Sequence, residues 1–390
     1  LHLCDRRQRQ MCIRDRDCRE IRKMKKIRFC TLYPRGSAVE FYKDVGQIPY
    51  TLAKMGKAEA TMICCYATKE EADLKKMPEL HYEQKKMLCG NQTLTGLLYL
   101  LTHARKIDWL NVYHGGRHCY YWIKLYKLLN PKGKVYLKLD LSYAGCEMYQ
   151  NSEKERNIFE KTAAVSDIVS VESKKIKKLT AEFTKQNIRV VPNGYINEAE
   201  TIPQVNREKQ FITVGRLGTP EKATDILLEA FAQSANSHDW TLKLVGSVAQ
   251  DFQTWLEDFY NRYPEIKERI IFTGPIYERE ALYREYRKAR VFVLPSRWEA
   301  FPLVGPEALH NGCRMILSDT IPPIEELTGN LAYGEVVKAA DVESLKEALI
   351  RETERNTAEQ EAEEIATYAR EHLSWYSICE NLLTEMEGEI

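Results

Sequence analysis

Residues 291–319 read VFVLPSRWEAFPLVGPEALHNGCRMILSD. The run 291–294 is wholly apolar, the pattern of a strand buried on both faces in a parallel sheet. Pro295 and Ser296 end it, and a loop then carries Arg297, Trp298 and Glu299. Pro306 suits the first position of a helix and keeps Gly305 before it out of helical backbone. That helix would run to His310 and stop at Asn311-Gly312, with 314–317 as the next strand. Glu299 then lies just past a strand's carboxyl end and Glu307 in the first turn of a helix. Open α/β sheets take their ligands at that edge. A glutamate in a first helical turn also favours the macrodipole, so Glu307 has a structural use beside a chemical one.

Working outward, the same alternation recurs. Strands are expected at 210–214, 240–245 and 270–273, followed by Gly215-Arg216-Leu217, Gly246 and Gly274-Pro275-Ile276 respectively. Helices follow at 277–288, 341–355 and 359–372, and Leu373-Ser374-Trp375 opens a last one. In the first half, strands read at 27–33, 61–68, 108–113, 134–139, 167–171 and 188–191. Helical stretches at 94–105, 118–129 and 174–185 alternate with them, and Val45-Gly46 opens a helix through Lys54. Strand–helix alternation predicts a doubly wound parallel sheet in each half. The turn at Pro192-Asn193-Gly194 divides them, giving domains over 24–192 and 193–373 and a final helix over 374–390.

The stretch Glu299-Ala-Phe-Pro-Leu-Val-Gly-Pro-Glu307 resembles the E-x7-E element of retaining GT-B glycosyltransferases, especially glycosyltransferase family 4 (glycosyl transferases group 1). The resemblance implies two Rossmann-like domains with a carboxy-terminal helix returning to the first. It implies that Glu299 contacts the donor sugar, that Glu307 contacts the ribose, and that the amides of Leu303 and Val304, beside Phe301, face the diphosphate. Gly215-Arg216-Leu217 and Lys222 resemble the family's G-R-L…K element, whose cations hold the diphosphate. Breaking a sugar–phosphate bond develops negative charge there, and fixed cations stabilise it most in the transition state. Ile276 falls where the family lines the base, and Gly246 closes the neighbouring turn.

Gly46 resembles the glycine of the family's first loop, where the backbone approaches a phosphate; plain turn chemistry serves equally. Asp140 follows the strand at 134–139, where family members often carry a histidine near donor and acceptor. It would bond a sugar hydroxyl or orient the acceptor, or be satisfied by nearby amides. Ala300 replaces the family's usual glycine and narrows the sugar pocket by a methyl. His114 and His118 have the i, i+4 spacing of a metal pair, but Gly115-Gly116 breaks the helix between them and no third ligand is evident. No metal or other cofactor is expected.

Composition bounds the rest. The chain has 390 residues, 44% hydrophobic and 29% charged, with no apolar stretch long enough for a membrane span. Eleven cysteines without metal-type spacing predict reduced thiols in a cytoplasm. Cys64-Cys65 sits in an apolar run and reads as core. Residues 1–23, with MCIRDR at 11–16, resemble a translated transposon end and are expected to be foreign, Met24 being the natural start. Residues 24–192 hold 29 Lys and Arg against 17 Asp and Glu, while 193–390 hold 20 against 35. A basic first domain suits an anionic membrane surface or lipid diphosphate, and lysines 75, 76, 85 and 86 are the expected contacts. Nucleic acid is not expected, because no recognition motif accompanies the charge.

Together these readings predict transfer of a sugar from a nucleotide-diphosphate sugar to a saccharide or lipid-linked hydroxyl, in the cytoplasm or on the inner face of the membrane, in cell-surface glycan or glycolipid synthesis. Two other classes fit the fold. One is a sugar-nucleotide epimerase or hydrolase; the other is a non-catalytic partner subunit, which would be expected to lose the donor-site charges.

Overall fold

The computed structural model describes residues 26–66, 74–196, 206–355 and 358–389. The proposed foreign segment 1–23 lies outside them, as does the end of the strand expected at 61–68. In chain order the first part contains β1 (Ile27–Leu32), α1 (Asp44–Lys54), β2 (Ala58–Cys64), β3 (His81–Gln84), α2 (Gln92–His103), β4 (Trp109–Tyr113) and α3 (Arg117–Leu129). It continues through β5 (Lys134–Lys138), α4 (Tyr143–Asn151), α5 (Glu153–Ala163), β6 (Ile168–Val171), α6 (Lys174–Thr180) and β7 (Ile188–Val190). These strands form one sheet in the order β3-β2-β1-β4-β5-β6-β7, and each recorded pairing is parallel.

The second part contains β8 (Gln210–Val214), α7 (Thr224–Ser234), β9 (Thr241–Val245), α8 (Gln253–Arg262), β10 (Ile270–Gly274), α9 (Arg279–Lys288) and β11 (Val291–Leu294). After it come α10 (Val304–His310), β12 (Arg314–Ser318), α11 (Ile324–Thr328), β13 (Gly334–Val337), α12 (Val342–Glu354), α13 (Ala358–His372) and α14 (Trp375–Gly388). Its parallel sheet runs β10-β9-β8-β11-β12-β13. Every residue of β8, β11 and β12 is buried, which is why β11 reads as an unbroken apolar run and β12 keeps three apolar residues in a row at its centre. Strand order reverses between β1 and β4 in one sheet and between β8 and β11 in the other.

The predicted architecture is present: two doubly wound parallel sheets, with the last helix back on the first. Trp375, Ile378, Cys379, Leu382, Leu383 and Met386 of α14 share one apolar core with Phe29, Val45 and Leu52. The hinge is pinned by Tyr195, whose N–H donates to Leu373 O at 3.1 Å. Across the domains the Lys174 amide donates to Glu326 at 2.7 Å and Lys178 to Glu325 at 3.0 Å. Three local expectations change. The helix of the opening stretch starts at Val304, not Pro306; Pro306 sits inside the first turn, where a missing N–H removes no helical bond. The helix expected over 174–185 ends at Thr180. The edge strand β3, His-Tyr-Glu-Gln, has too few apolar residues to announce itself.

Candidate donor site at the second switch point

β8 and β11 are neighbours where the second sheet reverses its order, so the loops leaving them share one edge. The loop after β8 runs from Gly215 through a 3-10 turn at Pro220–Lys222. Gly246, which follows β9, has φ +143°, and a Cβ there would stand 1.8 Å from Gly215 O. Only glycine fits that approach. The Lys222 stem lies over Gly215, its Cε 3.3 Å from where a Cβ would be. Lys222 Nζ then reaches Glu299 Oε1 at 2.5 Å, and Ser296 Oγ donates to the same oxygen at 3.0 Å. Gly215, Lys222, Gly246 and Glu299 are thus brought together from three strands.

Arg297 joins the two loops. Its amide donates to Glu221 O at 2.8 Å, and its guanidinium to Pro220 O at 2.8 Å and Asp225 Oδ2 at 2.6 Å. Its partners lie more than seventy residues away, and sequence reading missed this role because no local signal carries it. Arg216 behaves differently from Lys222. Its side chain is 73% exposed and pairs with Glu221, so the two expected diphosphate cations are not equivalent.

Phe301 belongs to an apolar cluster against which Ile276, Leu303 and Val304 pack. This brings the residues expected at the base and at the start of α10 onto one wall. Glu307, partly buried on α10, receives the Tyr286 hydroxyl at 3.5 Å. Burial pushes its carboxyl up to about 7, partly offset by the Arg279 cation and the Tyr286 bond.

Two expected residues lie in the first domain. Gly46 is buried in the first turn of α1, its amide donating to Lys43 O at 3.2 Å. A Cβ would stand 2.5 Å from Phe41 Cα, so close backbone packing by itself requires glycine here. Asp140 is exposed, just past β5, with φ +49°. Glu172 accepts the amides of Asp140 and Leu141 at 3.0 and 3.1 Å and so holds that turn.

Beneath it the fully buried Lys138 donates to Val191 O at 2.7 Å and lies 3.6 Å from both Asp44 and Glu172. Burial raises Asp44 to about 6 and Glu172 to about 7, the Lys138 cation opposing both shifts. Lys138 interrupts an apolar strand run, a signal that sequence reading passed over.

The first switch point, between β1 and β4, holds a cavity of about 220 Å³ lined by Tyr33, Arg35, Gln92, His114, His118 and Trp122. His114 Nε2 lies 2.9 Å from Tyr33 Oη, and His118 packs edge-on against Trp122. Burial, with smaller contributions from His114 and Arg35, lowers His118 to about 4. A wider cavity of about 1090 Å³ lies by the hinge, among residues that include Tyr50, Tyr195, Arg279 and Trp375. No residue expected at the donor site lines it.

These features define a GT-B protein. Residues 197–372 match the family model for glycosyl transferases group 1, and the chain carries that domain as its second half. Over 123 residues, 32% of this chain and 30% of the relative, it is 30% identical to an uncharacterized glycosyltransferase of Methanocaldococcus jannaschii. The matched stretch therefore spans under a third of that relative's length. The lipopolysaccharide outer core galactosyltransferase WaaB superposes with a TM-score of 0.68 at 17% identity, covering 94% of this chain and 100% of its own. Anabaena HepE in complex with UDP gives 0.69 at 14% identity, covering 93% and 100%. At these identities the structures speak to the fold.

Proposed function

We propose that the protein is a retaining, family 4-type glycosyltransferase that moves a sugar from a nucleotide-diphosphate sugar to a hydroxyl of a saccharide or lipid-linked acceptor. The observation that carries this reading is the Lys222–Glu299 pair, built by three strand ends at the switch point. When donor enters, its diphosphate replaces Glu299 as the partner of Lys222, and Glu299 turns to the sugar hydroxyls. The bond from the anomeric carbon to the diphosphate oxygen breaks. The acceptor oxygen bonds to that carbon from the same face, and its proton passes to the departing oxygen. Lys222, with Arg216 once released from Glu221, stabilises the charge on that oxygen; Glu307 holds the ribose. Asp140 orients the acceptor from the first domain. The reaction needs no metal in this reading.

UDP-sugars are the first donors to try, because a UDP complex supports the same fold in HepE. The likeness to WaaB favours a role in cell-surface glycan synthesis at the inner face of the membrane. Among the described residues no helix is long and apolar enough to cross a membrane. The test is a thermal-shift screen of nucleotide sugars, followed by product analysis with and without acceptor under excess chelator. Free sugar alone, or an epimerised donor, would favour the hydrolase or epimerase class. No binding of any nucleotide sugar would favour a non-catalytic subunit.

A further inference from the structure

We infer that the joined outer faces of α2 and α3 form a docking surface for an anionic lipid bilayer. Leu94, Leu98 and Leu101 recur at i, i+4 and i+7 on α2, at 39, 44 and 55% exposure. On α3 the exposed row is Arg117, Tyr121, Lys124 and Leu128, with Leu128 at 75%. The helices pack closely because Gly96 of α2 has no side chain: a Cβ there would stand 2.3 Å from Trp122 Nε1. Trp122 Nε1 also donates to Thr93 O at 2.9 Å. The two rows therefore make one face.

Its charge selects the occupant. Residues 84–139 contain ten Lys and Arg and one acidic residue, Asp108, which is bound by Arg28; Lys138 is fully buried and Lys127 and Lys134 pair with Asp167, while Arg117 and Lys124 are exposed on α3. Arg105 and Lys106 are exposed beyond the end of α2. Leucines rimmed by exposed cations, on two helices that contain no acidic residue, suit a surface lying in the headgroup region. A protein interface depletes lysine in its centre. The lysines expected from sequence serve less well, since Lys85 pairs with Glu83 at 2.7 Å.

The same helices reach the first switch point, where Gln92 of α2 and His118 and Trp122 of α3 line the cavity. A bilayer on this face would bring a lipid-linked acceptor to that cavity. This last step, and only this step, rests on the transferase reading.

The test is co-sedimentation of the full chain with phosphatidylcholine vesicles, with and without phosphatidylglycerol. Wild type should bind only the anionic vesicles, and less as salt rises. Leu98→Ser with Leu101→Ser, and Arg105→Glu with Lys124→Glu, should each lower partitioning about tenfold or more. Melting temperature and UDP binding should hold. Absence of binding to anionic vesicles, or binding that neither pair weakens, would overturn the inference. A wild-type dimer that the leucine pair converts to monomer would overturn it too, assigning the face to a second copy. Donor hydrolysis and transfer to a soluble acceptor should be equal in all variants. Their absence in wild type would count against the transferase reading and leave docking to be judged by sedimentation.

Discussion

Lys222 Nζ and Glu299 Oε1 meet at 2.5 Å across the gap between the loops leaving β8 and β11. The side chains are 18 and 15% exposed, so the pair is screened less than a surface salt bridge. On the proposed reading the pair is a poised site, because an entering diphosphate would inherit a cation already held in place.

Lys222→Ala should lower turnover by about tenfold to a hundredfold, the range of one charge-assisted bond of ~1.5–3 kcal/mol. Arg216→Ala should cost less, because that side chain is mostly exposed and paired with Glu221. Both should leave nucleoside affinity nearly unchanged. Steady-state kinetics beside nucleoside titration checks this; equal losses for nucleoside and nucleotide sugar would contradict the assignment.

Glu299→Gln and Glu307→Gln should fail differently. In the proposed reaction Glu299 faces a sugar ring that gains positive charge, so its loss should lower kcat with nucleotide binding retained. The ribose contact proposed for Glu307 is present equally before and during reaction, so its loss should weaken nucleotide and nucleotide sugar alike. Calorimetric titration with UDP and UDP-sugars separates the two. If both variants only lower Tm, the pair is structural.

Glu307, Glu172 and Asp44 should each contribute stability that is lost as pH rises from about 4.5 to 7. Burial raises Glu307 and Glu172 from 4.5 to about 7 and Asp44 from 3.8 to about 6. In that window each of these folded carboxyls holds more protons than its unfolded counterpart, and proton uptake favours the state that binds more; His118, His238 and His310, lowered from 6.5 to about 4 by burial, act with the opposite sign between about 4 and 6.5. Carboxylates held low by cations, such as Glu285 and Glu325, act below it with the opposite sign. In a series of melts across pH, the stability of wild type relative to Glu307→Gln should fall between about 4.5 and 7.

Gly246→Ala should destabilise the protein by more than ~2 kcal/mol, since a methyl would overlap Gly215 O and the positive φ disfavours alanine. Chemical denaturation measures it. A change near zero would mean that the two loops can separate freely.

Lys138→Met should cost about 3–5 kcal/mol, because Asp44 and Glu172 would be left buried without their cation. Adding Asp44→Asn and Glu172→Gln should recover much of it. A single variant as stable as wild type would show that the carboxyls are already neutral.

The sequence alone determined the architecture and which residues stand at the carboxyl edge of the second sheet. Apolar runs of four or five residues report burial on both faces. Pro295 and Gly312 mark where elements stop, Pro306 falls inside the first turn of α10, and the spacing from Glu299 to Glu307 survives that small error in the helix boundary. What it could not determine was which charges meet. Pairing of Lys222 with Glu299, exposure of Arg216, and the bridge from Arg297 to Asp225 all follow from strand order, which places loops distant in sequence on one edge. The tertiary structure also gave Gly46 a packing reason and sealed Lys138 between two carboxyls. Periodicity records whether a side chain is buried; only the assembled sheets decide what lies opposite it.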